Sequence, residues 1–172
     1  MLYNHATSNI SGLHHIQNVL TLEIANTISS SLIASRLDYC NALRYGISAG
    51  NIAKLQRVQN GIALVVCCAS DRSVSASSLL HQLHWLPVER RIRFKLASLC
   101  HRVIHTGQPN YLASMLTPYE PPRQLRSSAT GLLVVPPHRI DIASRRFSCA
   151  APRNTLPLAV RSAPSLRTFK TA

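Results

Sequence analysis

The chain has 172 residues, room for one modest core, and 46% of them are hydrophobic, which argues against wholesale disorder. Nineteen Lys and Arg face six Asp and Glu, giving a net charge of +13 and a pI near 10.6. The densest apolar run, Ile62 to Ala69, is far shorter than the eighteen or more residues of a membrane span.

Aromatics make up only 5% of the chain, so the core rests on Leu, Ile, Val and Ala, a composition that favours helices. In chain order, residues 1–10 read as a flexible N-terminus. Leu13, Ile16 and Leu20 recur at helical spacing, as do Ile24, Ile28 and Leu32, which predicts a helical hairpin over about residues 11–36. Thr21 is placed to cap the second helix, with Glu23 near its positive end. Gly46, Ser48 and Gly50 mark a turn. Ile52, Leu55, Gln59, Ile62 and Val66 then form a stripe, with Lys54 and Arg57 off it, predicting an amphipathic helix from Asn51 to Val66 that Gly61 weakens.

After the polar stretch Ser70 to Ser78, a short helix is expected around Leu79 to Leu83. The clearest helix follows Pro87, whose missing N–H is harmless in a first turn. Ile92, Leu96, Leu99 and Val103 form its apolar stripe, and Gly107 and Pro109 end it. Another short helix is expected at Tyr111 to Leu116. Beyond Thr117 most of the ten prolines crowd together and periodicity fades. The expectation there is an irregular basic tail over residues 117–172, with at most a short β-hairpin near Gly131–Val135 and one helical turn near Ala143–Ala150. The fold class is therefore mainly α: five or six helices over residues 11–116, then the tail.

Several words of the sequence carry a resemblance. They are Ser35-Arg36-Leu37-Asp38-Tyr39-Cys40-Asn41 with Tyr45-Gly46, and Leu55-Gln56-Arg57-Val58-Gln59-Asn60. Next come Leu83-His84-Trp85-Leu86-Pro87-Val88 with Arg90-Arg91-Ile92 and Phe94-Lys95, then Leu116-Thr117-Pro118-Tyr119. Leu125-Arg126-Ser127-Ser128, Ala150-Ala151-Pro152-Arg153 and Ser165-Leu166-Arg167-Thr168-Phe169-Lys170 complete the series. In this order they resemble the region downstream of the reverse transcriptase palm in non-LTR, LINE-type retrotransposons of the jockey-like groups, over nearly the whole chain. The resemblance implies a thumb-like or C-terminal helical extension that helps to hold template RNA or target DNA and has no catalytic residue of its own. The chain departs from the family pattern where Arg153 runs straight into Asn154, a Leu-Trp pair being usual between them. It departs again at Gly61, where Ala is usual, and in ending at Ala172; these departures look like decay or truncation.

The residues themselves argue the same way. A polymerase needs paired carboxylates for two metal ions. The six acids are Glu23, Asp38, Asp71, Glu89, Glu120 and Asp141, no two closer than fifteen residues. No catalytic residue is assigned, and Asp38 is expected to pair locally with Arg36 or to cap a helix. His101 and His105, four apart on one helix, resemble half a zinc site. The plainer reading is boundary histidines beside a basic helix, so neither metal nor cofactor is assigned. Trp85 reads as a core anchor rather than a stacking platform, with Pro87, Leu96 and Leu99 as structural partners. The cysteines, Cys40, Cys67, Cys68, Cys100 and Cys149, are odd in number and form no CxxC pair. With the polar start of the chain they read as reduced thiols of an intracellular protein.

Charge remains as the strongest signal. Residues 1–86 hold five cations and three acids, whereas residues 87–172 hold fourteen and three. Such a surplus points to an anionic partner, and sixteen of the cations are Arg, the side chain best shaped to grip phosphate. The expected contacts are Arg90, Arg91, Arg93, Lys95 and Arg102 on one helix and Arg126, Arg145 and Arg146 in the tail. The function read from the sequence is sequence-tolerant nucleic-acid binding, to RNA or DNA. The alternative is a helical interaction module that packs on the polymerase domain, and a third, weaker reading is a small metal-dependent hydrolase.

Overall fold

A computed structural model describes residues 15–16, 19–68, 74–121, 123 and 131–171. Among these the protein is mainly helical and has no β-strand. In chain order the α-helices are α1 (Leu22–Arg36), α2 (Ala49–Val66), α3 (Ala76–Gln82), α4 (Val88–Thr106), α5 (Asn110–Ala113), α6 (Phe147–Ala150), α7 (Leu158–Arg161) and α8 (Leu166–Thr171). Three 3-10 turns, Asn41–Arg44, Asp141–Arg145 and Pro152–Thr155, lie between them. The helix expected around Leu13–Leu20, and hence its hairpin, falls largely outside the described residues. The chain forms two compact units, Met1–Ile92 and Arg93–Ala172. This division falls inside α4 and does not follow the change of composition after Thr117.

In the first unit, α1 packs on α2 and α2 on α3. Thr21 caps α1, its Oγ1 accepting from Ile24 N at 3.4 Å. At the other end Arg44 reaches back, donating to Leu37 O at 2.6 Å and to Arg36 O at 3.4 Å, which satisfies carbonyls the helix leaves open. The buried face of α1 differs from the expected stripe. Ala25, Ser29, Ile33 and Leu37 are buried, while Ile24 and Ile28 are exposed. The helix therefore turns Ala25 and Ser29 inward together with Ile33, and leaves Ile24 and Ile28 outside. On α2 the stripe holds: Val58, Gln59, Ile62, Ala63, Val65 and Val66 are buried, and Lys54 and Arg57 are exposed.

Helix α3 ends in a Schellman motif. His84 N donates to His81 O and Trp85 N to Leu80 O at 2.8 Å, with His84 left-handed at φ 55°. The paired hydrophobic positions of that motif, Leu80 and Trp85, are both buried. The turn thus drives Trp85 into the core and sets up the start of α4, where Pro87 O accepts from Arg91 N at 3.0 Å.

In the second unit, α4 runs on to Thr106. Gly107, at φ 66°, stops it by donating to Val103 O at 2.9 Å. Two small apolar clusters hold the tail on this helix. Ala97 packs with Ala163 and Phe169, and Cys100 with Leu133 and Ala151. Leu133 is pinned on both sides. It forms an isolated antiparallel bridge with Pro118, and the side-chain amide of Asn154 pairs with its backbone, accepting from Leu133 N at 2.9 Å and donating to Leu133 O at 2.8 Å. The tail is built of helical pieces of four to six residues, more of them than the single turn expected.

Candidate nucleic-acid interface

Helix α4 is the centre of the candidate site because its sequence places apolar and cationic residues in alternate sectors. In its first turn Val88 and Ile92 are buried, and Arg90 and Glu89 are exposed. Beyond, Leu96, Ala97, Cys100, His101 and Val103 are buried, whereas Arg93, Phe94, Lys95 and Arg102 are exposed. Leu99 is half-buried. Lys95 and Arg102 are seven residues apart, two turns, so they share a face. Arg90 and Arg93, three apart, share another. The expected helix set is therefore two groups of cations and not one row.

Arg91 belongs to neither group. Its Nη1 pairs with Asp38 at 2.7 Å and its Nε donates to Leu86 O at 2.8 Å. The expected local pairing of Asp38 with Arg36 is thereby corrected. Asp38 reaches 53 residues along the chain to Arg91 and also accepts from Asn41 Nδ2 at 3.4 Å. A guanidinium held by a carboxylate and a carbonyl has spent its strongest donors inside the fold, so Arg91 is a structural residue.

The same loop is clamped a second time. Gln59, 0% exposed, donates to Leu86 O at 2.8 Å, and Gln56 Oε1 accepts from Val88 N at 2.9 Å. Gln56 Nε2 donates in turn to Asn60 Oδ1 and Gln59 Oε1. Gln56 thus supplies the acceptor that the first N–H of α4 lacks within its own helix. Three words of the sequence analysis, around Asp38, Gln56–Asn60 and Trp85–Val88, are joined physically by this network. Trp85 itself is 7% exposed.

Among the tail residues, Arg145 and Arg146 are exposed at the junction of a 3-10 turn and α6, Arg146 Nε donating locally to Ala143 O. Arg123 and Arg139 are exposed too; Arg126 lies outside the described residues. The sequence reading missed Arg167 and Lys170 on α8. Both are exposed while Phe169 between them is buried. The signal was present as cations three apart around an apolar residue.

The histidines differ from expectation. His101 is buried, not at the boundary. Its Nε2 donates to Ala163 O at 3.0 Å, because a carbonyl can only accept. Its ring lies against His105 and Phe169, with centroids at 4.1 and 4.5 Å. Among the described residues no three His, Cys, Asp or Glu gather as a metal site. Burial, with Cys68 adding to it, pushes the Cys67 thiol up. A cavity of about 290 Å³ in the second unit is lined by apolar side chains and glycines, among them Val103, Ile104, Leu116 and Leu133, with no titratable group among the described residues that line it. No described helix is long and apolar enough to cross a membrane. Comparison with family models, curated proteins and solved structures finds no match.

Proposed function

We propose that this chain is a non-catalytic C-terminal piece of a non-LTR retrotransposon reverse transcriptase polyprotein, and that its Arg93–Ala172 unit grips nucleic-acid backbone with little regard to sequence. One observation carries the binding reading. The Arg93–Ala172 unit holds twelve of the nineteen cations and only two of the six acids, Glu120 and Asp141. Nine of those cations are exposed among the described residues: Arg93, Lys95, Arg102, Arg123, Arg139, Arg145, Arg146, Arg167 and Lys170. So few interleaved acids leave a positive surface that phosphates would neutralise, releasing counterions. The origin rests on the ordered words of the sequence. It is tested by the coding sequence upstream, where a reverse transcriptase palm in frame is expected and a different domain would overturn it.

The binding test is a salt titration of affinity for unrelated oligonucleotides. Replacing Lys95, Arg102, Arg145 and Arg146 together by Gln should flatten the slope of log affinity against log salt by about three, with circular dichroism unchanged. An unchanged slope in a folded variant would remove these residues from the interface. The interaction-module reading is favoured by Leu22, Ile24 and Ile28, which α1 leaves exposed. It would be preferred if no oligonucleotide bound and the chain self-associated with rising concentration.

A further inference from the structure

We infer that the nucleic acid taken by the Arg93–Ala172 unit is single-stranded, held by base stacking on exposed aromatic rings, of which Phe94 lies between two cations. The inference rests on the backbone-gripping reading above and adds a substrate class to it. This unit has five aromatic residues: Phe94, Tyr111, Tyr119, Phe147 and Phe169. Phe169 is buried and Phe147 partly so, but Phe94 is 40% exposed, Tyr111 66% and Tyr119 48%.

That disposition is unusual for a chain so short of aromatic rings. Its cores in this unit use one ring fully, Phe169 with Ala97 and Ala163, and Phe147 in part beside Cys100, Leu133 and Ala151, while three large rings stay outside. Phe94 has no polar atom to favour water, and it sits between Arg93 and Lys95. Successive helix residues are about 100° apart, so the two cations flank the ring on either side of the helix. A flat ring bracketed by cations suits a strand whose bases are unpaired: phosphates meet the cations and a base lies on the ring. Base–aromatic stacking is worth about 1–3 kcal/mol per base and tolerates any sequence, because every base has a π-face. A duplex hides those faces, so the same surface would hold it through phosphates alone.

The experiment uses the full chain and measures fluorescence anisotropy with a labelled thymidine oligonucleotide, a uridine oligonucleotide of equal length and a duplex. The expected result is tighter binding of both single strands than of the duplex. Phe94→Leu, Tyr111→Leu and Tyr119→Leu together should weaken single-strand binding by about fivefold or more while leaving duplex binding unchanged. Phe94→Tyr, Tyr111→Phe and Tyr119→Phe should restore it, which separates loss of the flat ring from loss of fold. Salt-dependent binding that is equal for strands and duplex, and indifferent to the Leu variants, would overturn this inference and leave the backbone-gripping reading standing. Absence of salt-dependent binding to any of the three would overturn both.

Discussion

The two compact units use their polar side chains in opposite ways. In Met1–Ile92 they are turned inward on the backbone: Gln56, Gln59, Arg44 and Arg91 all donate to or accept from main-chain groups, and Asp38 holds Arg91. Net charge there is only +3, from seven cations and four acids. In Arg93–Ala172 twelve cations and two acids leave +10, and nine of the cations are exposed among the described residues. Its helices are held by small apolar contacts and by side chains such as Asn154 and His101, which reach backbone carbonyls far along the chain. An arginine count therefore says little by itself. Arg91 and Arg93 are two residues apart, and the first is a structural brace while the second faces solvent.

The sharpest way to break this comparison is to cut the apolar anchor of the second unit. Phe169 is buried against Ala97 and the His101 ring. Phe169→Ala should cost about 3–4 kcal/mol in that unit, from lost burial and the cavity left behind. Hydrogen exchange should then quicken for amides of Ala97–Val103 while those of Ile62–Val66 stay protected. Equal loss in both stretches would mean that the units unfold as one, and the contrast drawn between them would fail.

The complementary cut removes the clamp of the first unit. Gln59→Ala deletes a fully buried side chain and its bond to Leu86 O, and should cost about 2–3 kcal/mol by chemical denaturation. Gln59→Leu keeps the volume but removes one of the two donors to Leu86 O and one of the two acceptors of Gln56 Nε2, so it should also destabilise, by about 1–2 kcal/mol. If Gln59→Leu were as stable as the parent, Arg91 alone would suffice to hold Leu86 O, and the polar network would not be what fixes the start of α4.

Much of the helical frame was legible in the sequence, because α2 and α4 combine clear 3.6-residue stripes with Pro87 before one and Gly107 after it. What was not legible lies in contacts distant along the chain. The Asp38–Arg91 pair spans 53 residues, and nothing local distinguishes Arg91 from Arg90. The face of α1 differs from the expected stripe because two of its isoleucines, Ile24 and Ile28, lie on the exposed side, whereas the buried Ala25 and Ser29 give almost no hydropathic signal. His101 was misread because imidazole counts as polar, although it follows Ala97 by four and so shares that buried face. On α4 the expected contacts Arg90, Arg93, Lys95 and Arg102 are exposed, and the shared face of Arg90 and Arg93 follows from their spacing, whereas the inward pairing of Arg91 does not.

The smallest effect concerns a single backbone angle. His84 occupies the left-handed position of the Schellman motif that glycine usually fills, with φ 55°, and its side chain is exposed. For a residue with a Cβ that conformation costs about 1–2 kcal/mol. Glycine avoids this cost but loses more freedom on folding, which offsets part of the gain. His84→Gly should therefore raise stability by about 0.5–1 kcal/mol, read as a higher denaturant midpoint at unchanged slope. His84→Ala retains the Cβ and the strain, so it should give no such gain. If both variants were destabilised equally, the imidazole itself would be contributing to the fold, and the strain at this turn would be smaller than the angle implies. A gain confined to the glycine variant would show that the first unit accepts a strained residue where α3 hands the chain to the buried Trp85.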